Sequence, residues 1–191
     1  MNSTPSSDIR AMRATASALD AQRDKLPVLG DPHRSPDVAG VARQISALGE
    51  LITDLGNEVH FSASQEPEAH TARVITAFAA IVRPTGQAAS ALGEVARQLS
   101  FLDRTEHLRN EPDTADAREA AVRLIDDSLS TADTALREAA DSLRAASATV
   151  SPPSVRLRAA LSRSAAAPSV PAPPPAAQAA AVPAGVVRRS R

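Results

Sequence analysis

Apolar residues recur along this chain at helical spacing. Val38, Val41, Ile45, Leu48, Ile52, Leu55 and Val59 alternate three and four positions apart without a break. That is the signature of a helix carrying one narrow apolar stripe. The start of this segment is marked as well: Ser35 is expected to cap it, Pro36 suits a first turn, and Asp37 complements the helix dipole. A second stripe runs Val74, Phe78, Ile81, Thr85, Ala88, Leu92, Val95, Leu99, Leu102, after a start signal of Ser64 or Gln65 followed by Pro67 and Glu68. Pro84 lies inside it. A proline there removes a backbone donor and crowds the carbonyl of Ala80, so a kink or break is expected. A third stripe, Val122, Ile125, Leu129, Ala132, Leu136, Ala139, Leu143, Ala146, Val150, follows a turn at Asn110-Glu-Pro-Asp113. A shorter segment, Ile9, Met12, Ala16, Leu19, Leu26, comes first, with Ser7 as its expected cap.

These patterns predict an all-α protein: an antiparallel four-helix, coiled-coil-like bundle over residues 1–150. Its helices are expected at about 7–25, 36–62, 67–109 and 114–150. The stretch 27–35, with Gly30, Pro32 and Pro36 around it, reads as a loop. Glu119/Arg123 and Asp133/Arg137 are spaced for i,i+4 ion pairs, each contributing about 0.2–0.5 kcal/mol.

Each helix also carries a small hydroxyl residue followed by Ala-Leu, with a second Leu seven positions on. The copies are Ser17-Ala18-Leu19 with Leu26, Ser46-Ala47-Leu48 with Leu55, Ser90-Ala91-Leu92 with Leu99, and Thr134-Ala135-Leu136 with Leu143. The last three copies are 44 residues apart. Either a helical hairpin has been duplicated, or Ala- and Leu-rich heptads match by coincidence; both readings stand. No solenoid consensus is present. Glycines recur too: Ala42, Gly49 and Gly56 on one helix, Ala79, Gly86 and Gly93 on the next. A helical glycine costs roughly 1 kcal/mol against alanine. Close helix approach would account for them, and on that basis Gly49→Leu is expected to lower the melting temperature.

Composition changes the picture beyond residue 150. Ser151-Pro-Pro153 ends the last helix, residues 155–164 are expected to form a short basic amphipathic helix, and residues 168–184 form a Pro/Ala tract. Residues 151–191 are therefore expected to be a disordered Pro/Ala/Arg-rich tail. The formal charge of −1 hides an asymmetry: residues up to Asp141 carry −8, and the chain beyond carries seven arginines and no acid. Six of those arginines, Arg156, Arg158, Arg163, Arg188, Arg189 and Arg191, give the tail a reach toward nucleic acid or an anionic membrane. They are dilute, however, and no aromatic residue interleaves them for base stacking.

Candidate chemistry is sparse. There is no cysteine, tryptophan or tyrosine, and only Phe61, Phe78 and Phe101 are aromatic. Disulfides and thiolate metal sites are excluded. Of the histidines His33, His60, His70 and His107, none has the glutamate three positions earlier that helical di-iron sites use. Glu66/His70 and Asp103/His107 have i,i+4 spacing and read as surface or capping pairs. No phosphate-binding glycine loop, dinucleotide fingerprint or Gly-x-Ser-x-Gly turn occurs. Asp126 and Asp127 are adjacent and point to different helix faces. No catalytic residue, cofactor or metal, and no small-molecule substrate, is expected. The polar start predicts no secretory signal, and no apolar run is long enough to span a bilayer, so the expected location is the cytoplasm.

The Ala-rich helices and Pro/Ala tail are similar in composition, though in no specific motif, to granule-coating phasins. That likeness implies an amphipathic coat on a lipid or granule surface as one alternative. The leading expectation is a non-enzymatic scaffold or adaptor that self-associates or binds another helical protein. Its argument is the unequal helix lengths, which would leave the stripe of the two long helices overhanging at Leu92, Val95, Leu99, Leu102, Leu129, Leu136 and Leu143.

Overall fold

The computed structural model describes residues 5–63 and 69–150. All regular structure among them is helical: α1 (Pro5–Asp24), α2 (Val38–Ala63), α3 (Ala69–Arg104), a single 3₁₀ turn at Glu106–Leu108, and α4 (Pro112–Val150). Ser64, Gln65, Pro67 and Glu68, the expected start signal of α3, lie outside the described residues. So do the tail at 151–191, its short basic helix at 155–164, and Arg156, Arg158, Arg163, Arg188, Arg189 and Arg191.

The helices form an antiparallel four-helix bundle. α3 packs along α4 in the longest contact, α2 packs on α3, and α1 packs on α4. The chain-order neighbours α1 and α2 are not packed along each other. The core is built from Met12, Leu19, Val41, Leu48, Phe78, Ile81, Leu92, Val95, Ile125, Leu136 and Leu143, with alanines 88, 132, 139 and 140 between them. Every first leucine of the repeated Ala-Leu unit, at 19, 48, 92 and 136, is fully buried. The alanines let helices lie close, and dispersion contacts across the narrow gap replace the aromatic bulk this chain lacks.

Helix ends are set by side chains, in places other than the sequence suggests. α1 begins at Pro5, so Ser7 lies inside the helix. The cap of α2 is Asp37, whose carboxylate accepts the Gly40 N–H at 2.8 Å, and not Ser35. α4 opens on Pro112, a residue preorganised for the first helical position. Past the end of α1, Arg34 reaches back and donates to the carbonyls of Asp24, at 2.8 Å, and Leu26, at 2.5 Å, satisfying acceptors the helix leaves open. The loop between α1 and α2 turns at Gly30, whose φ of 82° is open to glycine and strained for other residues. At the other end, Arg118 of α4 donates to the Leu102 carbonyl at 2.5 Å, to Thr105 Oγ1 at 3.0 Å and to Glu106 Oε2 at 2.5 Å. It thereby closes the C-terminus of α3.

Of the kink or break expected at Pro84, the break does not occur: α3 runs through it as one helix. Thr85, fully buried one residue on, donates its hydroxyl to the Ile81 carbonyl at 2.7 Å. This gives a local polar pairing next to the lost backbone donor. The glycine expectation also fails. Gly49 and Gly56 are exposed, and a Cβ at Gly49, Gly56, Gly86 or Gly93 would meet nothing within 4 Å. These glycines therefore do not mediate close helix approach, and nothing in the packing explains them.

α1 is held to α4 by charge as well as by apolar contact. Arg144 pairs with Asp20 across the helices, Asp20 with Arg23 at 3.9 Å, Arg23 with Asp133 at 3.3 Å, and Asp133 with Arg137 at 3.9 Å. The cross-helix members, Asp20 with Arg144 and Arg23 with Asp133, run in the antiparallel sense, the arginines reaching along the helix axis to their partners. The Glu119/Arg123 pair closes at 2.9 Å, as its spacing predicts.

Candidate functional site

Of the residues whose stripe was expected to overhang, Leu92, Val95, Leu129, Leu136 and Leu143 are buried within the bundle. Leu99 and Leu102 are half-buried and pack against the same core. The physical reason is that α3 and α4 cover each other along their length, so each long helix supplies the other's partner. These leucines hold the fold together and are not a free surface. What stays exposed on the long hairpin is Val122, at 42 %, and Leu124, at 44 %, on opposite flanks of α4.

An opening with apolar walls lies elsewhere, along the seam between α1 and α2; the exposed large apolar residues Val28, Val38, Phe61, Val122 and Leu124 lie outside it. There the structure has a cleft of about 370 Å³. One wall is α1, with Ala11, Ala14, Thr15 and Ala18; the other is α2, with Leu51, Asp54, Leu55 and Glu58. Phe78 of α3, itself buried, lies between them. Local sequence makes this cleft. The α1 residues facing it are alanines and a threonine, whose short side chains stop well before α2. Leu51 is half-buried and stands outside the three-four stripe of α2, turned toward the seam while Val41, Leu48 and Leu55 face the core.

The far end of the seam differs in character. Where α1 ends and α2 begins, a second cleft of about 530 Å³ is lined by Lys25, His33, Arg34 and Arg43 together with Asp24 and Asp37. Gln44 divides the two: its amide donates to the Gln22 carbonyl at 2.8 Å, a bond that ties α2 to α1 at this level. A third cleft, of about 580 Å³, runs under the α1–α2 loop against Asp126, Leu129, Ser130 and Asp133 of α4.

None of these clefts presents a reactive constellation. Among the described residues no three metal-ligating side chains converge. His33 lies in the loop, its backbone N–H bonded to Asp31 at 2.9 Å, and His107 is exposed on the 3₁₀ turn. Glu94 is the group most displaced in acidity. Hydrogen bonds from Arg97, at 2.5 and 2.9 Å, and then from Gln98, at 2.6 Å, hold its carboxyl down to about 2. The Arg97 guanidinium is correspondingly raised. This is a surface clamp on one helix, and a carboxyl held ionised serves neither as a proton donor nor as a strong base near neutral pH.

Sequence reasoning missed the α1/α2 seam. Two signals pointed to it: the alanines at 11, 14 and 18, on one face of a helix much shorter than its neighbours, and a leucine at 51 outside the main stripe. Among the described residues no helix is long and apolar enough to cross a membrane. No family model matches the chain, and neither a curated protein nor a solved structure matches it.

Proposed function

We propose that this protein is a non-enzymatic helical adaptor that binds another protein through the seam between α1 and α2. The observation that carries this reading is the cleft lined by Ala11, Ala14, Ala18, Leu51 and Leu55 over Phe78, in a bundle whose long helices bury Leu92, Val95, Leu129, Leu136 and Leu143 against each other. An amphipathic helix laid into an apolar groove is a recurring mode of recognition, read by anchors at i, i+3 or i+4, and i+7. The walls suit it. Alanines leave room for large side chains from a partner, and α1 and α2 supply two rails for a third rod.

Ala14→Arg tests the reading. Ala14 is exposed, so the substitution leaves the core intact and places a long cation across the cleft. Proteins that co-purify with the wild-type chain are expected to be lost from the variant, with the circular dichroism melt unchanged. Retention of the same partners by a folded variant contradicts the seam as the binding surface.

A further inference from the structure

From the cleft where α1 ends and α2 begins we infer a binding site for a small phosphorylated polyol. The inference is independent of the seam reading, since Gln44 separates the two openings. The cleft, of about 530 Å³, falls within the roughly 300–1,000 Å³ of small-molecule sites. Three permanent cations line it from three parts of the chain: Lys25 just past α1, Arg34 in the loop, and Arg43 in the second turn of α2. Lys25 and Arg43 are exposed and have no carboxylate partner among the described residues. Arg34 spends Nη2 on the carbonyls of Asp24 and Leu26, and its guanidinium has further N–H groups. Beside these donors stands an acceptor in need of one: Gln22 Oε1 is buried in the cleft wall with no hydrogen-bond partner among the described residues.

The mixture of groups names the ligand. Donors spread over three elements suit a phosphate, whose terminal oxygens point in several directions and accept charge-assisted hydrogen bonds. A bare anion would leave Gln22 Oε1 unsatisfied, and a buried acceptor without a donor is costly. A hydroxyl carried on the same molecule as the phosphate supplies that donor. The two carboxylates lining the cleft fit the same ligand. Asp37 is engaged as the cap of α2, its Oδ1 accepting the Gly40 N–H, and Asp24 is a second acceptor for a hydroxyl. An unsubstituted dianion would meet these carboxylates with repulsion and nothing to offset it, so the site favours the ester over inorganic phosphate. A free sugar phosphate and the headgroup of a phospholipid share this chemistry.

The test is an NMR titration of the full chain with glycerol 3-phosphate, inorganic phosphate, glycerol and sodium sulfate at matched ionic strength. The Gly40 amide and the Gln22 side-chain amide report on the cleft. Glycerol 3-phosphate is expected to bind about fivefold tighter than phosphate, the value of one added hydrogen bond, and glycerol not to bind. Arg43→Ala and Lys25→Ala are each expected to weaken both phosphate ligands at least about threefold with an unchanged melt. Gln22→Met keeps the backbone carbonyl that Gln44 uses and removes the orphan acceptor. It is expected to erase the preference for the ester, with phosphate binding retained and the melt unchanged or raised. Flotation with phosphatidylglycerol vesicles separates the sources: co-flotation lost in Arg43→Ala assigns the ester to a lipid headgroup, and its absence assigns it to a free metabolite. No shift of the two reporters with millimolar glycerol 3-phosphate would overturn the inference, as would an equal response to sulfate or a preference that survives Gln22→Met.

Discussion

Glu94 shows how a surface residue acquires a pH-dependent role from its neighbours. Its carboxylate accepts both guanidinium bonds of Arg97 and the amide of Gln98, so its ionised form is favoured in the folded state. The folded value lies near 2 against an ordinary 4.5, so the clamp contributes above pH 4.5 and is lost as pH falls toward 2. NMR titration of the Glu94 side-chain carboxyl is expected to give a midpoint well below 4. Arg97→Ala is expected to return it toward 4.5, and a midpoint near 4.5 in the unmodified chain would contradict the clamp. The exposed glycines support a second prediction at this scale. A Cβ at Gly49 or Gly56 meets open space, and helical alanine is favoured over glycine by about 0.5–1 kcal/mol. Gly49→Ala and Gly56→Ala are each expected to raise the melting temperature by a few degrees, and Gly49→Leu is expected to be tolerated. A marked fall would restore the close-approach explanation that the packing removes.

At the scale of elements, much was legible in the sequence, for a simple reason. A helix is written in local spacing, so the stripes of α2, α3 and α4 and the helical nature of α1 could be read directly. Whether Pro84 would break α3 was not legible because its effect is set by context: α3 is packed against both α2 and α4, and Thr85 Oγ1 pairs locally with Ile81. Ser35 and Ser7 misled because several capping residues stand side by side, and only geometry chooses among them. The neighbour relations of the helices were not legible. The four stripes are made mostly of Leu, Val, Ile and Ala, with Met12, Phe78 and Thr85 as exceptions, and no aromatic ridge marks which face meets which. The pairs that distinguish α4 as the neighbour of α1, Asp20 with Arg144 and Arg23 with Asp133, lie more than a hundred residues apart in sequence. The overhang expectation failed for the same reason, because it assumed that long helices needed company which they already give each other. Leu136→Ala therefore acts on the fold, costing about 2–5 kcal/mol in a urea melt. Leu124→Ala, on the exposed flank, is expected to stay within about 0.5 kcal/mol. A full-stability Leu136→Ala variant would contradict the assignment of that leucine to the core.

For the molecule as a whole, the physical asymmetry is between the two sides of α1. Toward α4 it is tied by Met12, Ala16 and Leu19 and by a chain of arginines and aspartates. Toward α2 it presents alanines to a cleft, beside which Gln44 bonds to the Gln22 carbonyl. A bundle closed on one side of a short helix and parted on the other has a ready position for a further helix, and the adaptor reading depends on that position being accessible. The chain contains no cysteine, so a single introduced thiol reports on it cleanly. The decisive measurement is the rate at which an Ala14→Cys variant reacts with a maleimide under native conditions, beside an Ala42→Cys variant on the exposed face of α2. The account predicts comparable rates for the two sites in the free protein. A thiol at position 14 that is already protected in the free protein, while that at 42 reacts, would mean the seam is occupied or closed, and would contradict it.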